Sequence, residues 1–166
     1  MTSATMFKST PSGFSGRARA AGFTLVELLV TMGVIAVLTM VAVPSFKGFI
    51  GGQQVRSASF DITAALLQAR SEAIKRNVIV TITPTASAWI NGWSLTAASG
   101  ATLELSQHEA FPNGLAISGP TTIAYNGSGR LTVSTAPVFS ITKSGITRTA
   151  TITVDTSGLP KTVAVN

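Results

Sequence analysis

The sequence predicts an α+β protein: one long, kinked N-terminal helix packed on a small antiparallel β domain. Three observations predict it. Residues 23–43 form an almost unbroken apolar run. Residues 53–77 keep apolar side chains at helical spacing. From Val78 onward the spacing shortens to β-branched strands punctuated by Gly and Asn turns. The 166 residues suit one domain plus an anchor. Only 11% are charged, and mean hydropathy is positive because a membrane segment raises it. The chain has no Cys, which excludes disulfides, thiolate nucleophiles and Cys-held metals.

The first 22 residues are polar and basic, with Lys8, Arg17 and Arg19 and no acid. Such a segment cannot bury enough apolar surface to fold, so it is expected to be disordered in the cytoplasm until removed. Positive charge ahead of an apolar helix holds that end inside. The net charge of +6 therefore misleads. Without this leader, nine Lys and Arg face six acids, a net +3.

Phe23 to Val43 has about the length that spans a bilayer, roughly 20 residues. Glu27 is the one acid inside it. An unpaired carboxylate in lipid costs about 2.5–3.5 kcal/mol or more, so Glu27 is a functional residue by default. Thr24, Thr31 and Thr39 are tolerable if their hydroxyls bond back to helix carbonyls. Pro44 follows at once, then Gly48, Gly51 and Gly52. Proline removes a helical hydrogen bond, and each Gly costs about 1 kcal/mol relative to Ala. A bend or local melting is therefore predicted between Pro44 and Gly52, with Pro44 and Gly48 as the kink.

Beyond the kink, Val55, Ile62, Leu66, Ala69 and Ala73 fall on one stripe. Phe60, Leu67 and Ile74 fall on a second, roughly 120° away. Asp61, Gln68 and Glu72 take the polar side. Two stripes suit a helix with two neighbours, its own sheet and another subunit. Arg70 projects between them and is expected to be paired or to snorkel.

The expected strands begin with Val78 to Thr83. Ala88 to Leu95 holds an Asn91-Gly92 turn signal between Trp89 and Trp93. Further strands are expected at Leu103 to Gln107, Leu115 to Ser118, Thr122 to Tyr125, Leu131 to Val133, Val138 to Lys143, Thr147 to Val154 and Thr162 to Val165. Asn126-Gly127-Ser128-Gly129 and Ser157-Gly158 mark turns. One or two sheets accommodate these strands.

Nothing in the pattern points to an enzyme. His108 is the only histidine, with Glu109 beside it and Glu104 nearby, and it reads as a surface residue. No phosphate loop, metal-spaced cluster or nucleophile motif is present in the sequence. Gly127-Ser128-Gly129 lacks the flanks of a nucleophile elbow and reads as a turn. No catalytic residue, metal, cofactor or small-molecule substrate is expected.

The stretch Gly22-Phe23-Thr24-Leu25-Val26-Glu27-Leu28-Leu29-Val30 resembles the processing junction of type IV prepilins and of the pseudopilins of type II secretion. The block Ala69-Arg70-Ser71-Glu72-Ala73-Ile74-Lys75-Arg76-Asn77, with Gly92-Trp93 after the first strand, resembles the GspH/FimT branch of minor pilins and pseudopilins. The resemblance implies residues 1–22 as a cleaved leader, 23–50 as a transmembrane and polymerisation helix, and 51–166 as a periplasmic α+β domain. It implies a prepilin peptidase that cuts after Gly22 and N-methylates Phe23. It pairs Glu27 with the N-terminal amine of a neighbouring subunit, and it makes Trp93 a core residue.

The function implied is a minor type IV pilin that primes or caps pilus assembly. It would be held in the inner membrane with its C-terminal domain in the periplasm, then incorporated into the filament. Its partners would be other major and minor pilins or pseudopilins and an inner-membrane assembly platform. The alternatives are a pseudopilin at the tip of a type II secretion pseudopilus and a DNA-binding minor pilin for DNA uptake. The DNA-binding members carry a Gly-Arg-x-Arg motif near the C-terminus. The corresponding Gly158-Leu159-Pro160-Lys161 lacks both arginines. Gly129-Arg130 resembles a structural turn. Lys143, Arg148 and Lys161 remain as a weak candidate DNA-binding patch if their strands are adjacent.

Overall fold

The computed structural model describes residues 22–165. The chain divides into two compact units, one ending at Met40 and the other spanning Val41–Asn166. The leader, with Lys8, Arg17 and Arg19, lies outside the described residues apart from Gly22.

Helix α1 runs Leu25–Arg76 with Pro44 inside it. The helix continues through Pro44, Gly48, Gly51 and Gly52, so the expected local melting does not occur in the single chain. Proline removes one backbone donor, and the bonds on either side still close. The Ser45 hydroxyl adds a bond to the Val41 carbonyl at 3.4 Å. At the far end, Asn77 takes φ +52 and its N–H reaches Ile74 O at 3.3 Å, which stops the helix.

Eight strands follow: β1 Val80–Pro84, β2 Trp93–Ser99, β3 Ala101–His108, β4 Leu115–Ser118, β5 Ile123–Tyr125, β6 Val138–Lys143, β7 Thr149–Val154 and β8 Pro160–Val165. They form two four-stranded antiparallel sheets, ordered β3-β2-β1-β5 and β4-β6-β7-β8. The strand chemistry explains the faces. In β7, Ala150, Ile152 and Val154 are buried while Thr149, Thr151 and Thr153 stay half-exposed. This is the period-two pattern of a sheet with one wet face.

The helix stripe expected to face the sheets does so. Val55, Ile62, Leu66, Ala69 and Ala73 are all buried with Ile82, Leu95, Tyr125, Phe139 and Ile152 in one core. Trp89 and Phe139 meet edge to face at 4.8 Å, and the Trp89 indole N–H donates to Pro120 O at 2.7 Å. The second stripe, Phe60, Leu67 and Ile74, is exposed. Arg70 is half-buried and donates from Nε to Gly129 O at 3.0 Å, which satisfies the predicted need for a partner.

Two local expectations change. Leu131 to Val133 is not a strand; only Leu131 bridges to Tyr125. Strand β5 is three residues long, so pairing ends when the Thr132 N–H reaches Ala124 O. The Asn91-Gly92 signal closes a 3₁₀ turn over Trp89–Asn91, with Gly92 at φ +86. A Cβ there would collide with the His108 carbonyl, so the glycine serves a close backbone approach as well as a turn.

Candidate processing and assembly site

The site begins where the helix begins. Gly22, Phe23 and Thr24 are non-helical, and Leu25 opens α1. The Thr24 hydroxyl accepts the Glu27 N–H at 3.2 Å, and the Thr24 carbonyl accepts the Leu28 N–H at 3.1 Å. Thr24 is therefore an N-cap. The expectation that its hydroxyl bonds back to a helix carbonyl is corrected, because at the first turn the orphan groups are N–H donors. Thr31 and Thr39 behave as expected, donating to Leu28 O, Ile35 O and Ala36 O at 2.9 Å.

The cap leaves Phe23 exposed immediately before the first turn. Glu27 lies in that turn and is also exposed. A carboxylate at a helix N-terminus gains about 0.3–1 kcal/mol from the helix dipole. That is well below the cost of a carboxylate in lipid, so the dipole alone does not account for Glu27. Among the described residues Glu27 has no ion-pair partner. The surrounding helix is long and apolar enough to cross a membrane, and none of its most apolar window is buried by the rest of the chain.

The three basic candidates do not come together. Their strands are adjacent, but register separates them. Ile141 pairs with Ala150, which brings Lys143 and Arg148 to the same end of the β6–β7 hairpin. Lys161 pairs with Thr153, while Thr149 pairs with Val165. Four residues of β7, on the order of 14 Å, thus separate Lys161 from the Arg148 end. The patch of three is corrected to a pair, with Lys161 apart.

The pair instead meets two helix cations that the sequence reading left aside. Lys47 and Lys143 line one groove of about 560 Å³. Arg56 and Arg148 line another of about 360 Å³. The Arg56 guanidinium also lies 5.7 Å from the Phe60 ring.

His108 is half-buried rather than a free surface residue. Its ring stacks on Trp93 at 4.1 Å, and Nε2 lies 3.9 Å from Asp61 Oδ2. Trp93 is buried in the core as expected. The Asn126–Arg130 turn is held by Asn126 Oδ1, which accepts from the Ser128 N–H, the Ser128 hydroxyl and the Arg130 N–H. Gly129-Arg130 is thus structural. Asp155 has the same role in the next turn. Bonds from the Ser157 hydroxyl and the Leu159 N–H hold its carboxyl below the usual range.

An apolar, unburied helix headed by Glu27 and followed by a two-sheet α+β domain defines the pilin and pseudopilin class, whose members are structural subunits and not enzymes. Within that class the chain belongs to the GspH family: the model of type II transport protein GspH matches residues 58–158. The prokaryotic N-terminal methylation motif matches residues 17–43. No curated protein matches the chain.

Among solved structures, the chain resembles the type IV minor pilin FimU of Pseudomonas aeruginosa at TM-score 0.58 and 24% identity, over 66% of this chain and 87% of that one. It also resembles the minor pseudopilin EpsH of the Type 2 Secretion System of Vibrio cholerae at TM-score 0.55 and 14% identity, over 67% of this chain and 97% of that one. At such identities the likeness shows the fold.

Proposed function

We propose that this chain is a minor type IV pilin that primes or caps pilus assembly. Prepilin peptidase removes residues 1–22 by cutting after Gly22, and the amine of Phe23 is methylated. The mature chain waits in the inner membrane with residues 51–166 in the periplasm. On assembly Glu27 meets the Phe23 amine of a neighbouring subunit, which offsets the cost of its carboxylate and sets the axial register. Pro44 and Gly48 supply a hinge where the helix bends as the subunit leaves the bilayer and the assembly platform.

The observation that carries this reading is Glu27 itself. It stands exposed in the first turn of an apolar helix, without an ion-pair partner among the described residues, inside a methylation motif. The test is the N-terminus of the mature protein from membranes. Mass spectrometry should find a chain beginning at Phe23 with one added methyl group. A chain that retains residues 1–22, or one cut after the apolar run, would remove the basis of the proposal.

The second reading is a type II secretion pseudopilin. The match to the GspH model and the likeness to EpsH favour it. Co-purification of the mature chain with sheared pili supports the first reading. Loss of protein secretion on deletion, with pili intact, supports the second.

A further inference from the structure

The cations near the end of the apolar run share one surface. Residues 44–60 and 138–154 carry Lys47, Arg56, Lys143 and Arg148 and not one Asp or Glu. None of the four forms an ion pair among the described residues. Among the described residues Lys143 Nζ donates only to the neutral Asn113 carbonyl, at 3.2 Å.

Two glycines bring the hairpin onto the helix. A Cβ at Gly51 would lie 3.2 Å from the Ile146 side chain, and one at Gly52 would lie 2.8 Å from an Arg148 guanidinium nitrogen. The bare helix surface at 51–52 thus seats the β6–β7 tip. Lys47 and Lys143 then line one groove, and Arg56 and Arg148 line the next.

Neighbouring side chains indicate what the surface meets. Phe46, Phe49 and Ile50 are exposed at 65%, 63% and 44%, directly after the apolar run ends at Val43. Exposed Phe and aliphatic side chains next to Lys suit the boundary between acyl chains and headgroups. Gly51 lies eight residues beyond Val43, about 12 Å along a helix. The headgroup layer is roughly 5–8 Å deep on each side of a bilayer. Lys47 therefore falls within that layer, and the seated hairpin tip lies just above it, within reach of snorkelling Lys and Arg side chains.

We infer that the β6–β7 hairpin tip and the adjoining helix turn form a cationic ledge that docks on anionic phospholipid headgroups. The inference rests on the membrane reading proposed above. Lys143 and Arg148 hold the β domain down on the bilayer, and Lys47 flanks them. Each cation near an anionic surface strengthens binding roughly fivefold. Docking then has to be released when the subunit enters a filament.

The test uses the mature full-length chain in two nanodiscs, one of phosphatidylcholine and one containing phosphatidylglycerol. Amide hydrogen exchange is read over residues 46–57 and 142–149. Exchange should slow at least fivefold in the phosphatidylglycerol disc at low salt. The difference should vanish in high salt and in a Lys143→Gln/Arg148→Gln variant. Lys47→Gln, on an exposed helix position, should reduce it without any question of folding.

Equal exchange in both discs, with the chain inserted, overturns the ledge and leaves the anchor intact. A chain that enters neither disc overturns both. Stronger protection by duplex DNA in the neutral disc than by phosphatidylglycerol assigns the surface to nucleic acid and overturns the inference.

Discussion

The two halves of α1 are built from similar residues and meet different fates. Up to Ile50 every described helix residue is exposed, although most are apolar. From Gly51 to Ala73 ten residues are buried, on the stripe that faces the sheets. A helix that is apolar all round requires an apolar surrounding, whereas a striped helix requires a neighbour on one side. The second half finds its neighbour within the chain. The first half must find lipid or other subunits, and Glu27 is the one residue in it that lipid alone does not satisfy.

The strongest way to break this contrast is to place a charge in the buried stripe. We predict that Ile62→Asp abolishes the cooperative thermal unfolding of the domain. An uncompensated buried charge costs roughly 3–5 kcal/mol, a large part of the 5–15 kcal/mol typical of a whole domain. Val34→Ala in the first half should leave the same transition unshifted. If both variants unfold alike, the halves are not independent in the way the burial indicates.

Arg70→Ala should be milder. It removes the bond to Gly129 O, and charged hydrogen bonds contribute about 1.5–3 kcal/mol. Urea unfolding would show the loss, and a change below about 0.5 kcal/mol would mean that Gly129 O finds water instead.

The exposed stripe sharpens the contrast further. Phe60→Ser, Leu67→Ser and Ile74→Ser should each shift stability by no more than about 0.5 kcal/mol, as exposed positions usually do. The triple variant should nonetheless enter filaments less well than the parent. Normal incorporation of that variant would place the subunit contact elsewhere.

The smallest effect is a titration. Burial pushes the Tyr125 phenol up to about 12 from its ordinary 10. The unfolded chain therefore loses this proton first. Its contribution to stability is complete below pH 10 and is lost as pH rises from 10 to 12. Tyr125 is the only tyrosine, so phenolate absorbance reports it directly. Absorbance should rise together with unfolding in that window. A rise centred at 10 in the folded protein would contradict the burial. Tyr125→Phe should remove the alkaline sensitivity at little cost, because the hydroxyl has no hydrogen-bond partner among the described residues.

What the sequence made legible follows from locality. Strands β4 and β6 fall on their expected residues, Leu115–Ser118 and Val138–Lys143, because turn residues bound short runs of β-branched and aromatic side chains. The buried helix stripe was legible from its spacing. The Thr24 cap was also there to be read, since Thr24-x-x-Glu27 is a capping-box spacing. Glu27 carries two signals at once, a charge in an apolar run and the third helical position after the Thr24 cap.

Register was not legible. Whether Lys161 sits beside Arg148 depends on how β7 and β8 pair, and a strand's own residues do not state that. Nor could spacing place Lys47 in one groove with Lys143, almost a hundred residues later. The seating of Ile146 and Arg148 over Gly51 and Gly52 makes that meeting, and it is a tertiary contact.

We propose that Glu27 serves assembly and not folding or insertion. The most direct measurement compares Glu27→Ala with the parent in cells, by membrane fractionation, N-terminal mass and content of sheared filaments. The expected variant is membrane-inserted and cut after Gly22 like the parent, but largely missing from filaments. Incorporation at the parental level would contradict it.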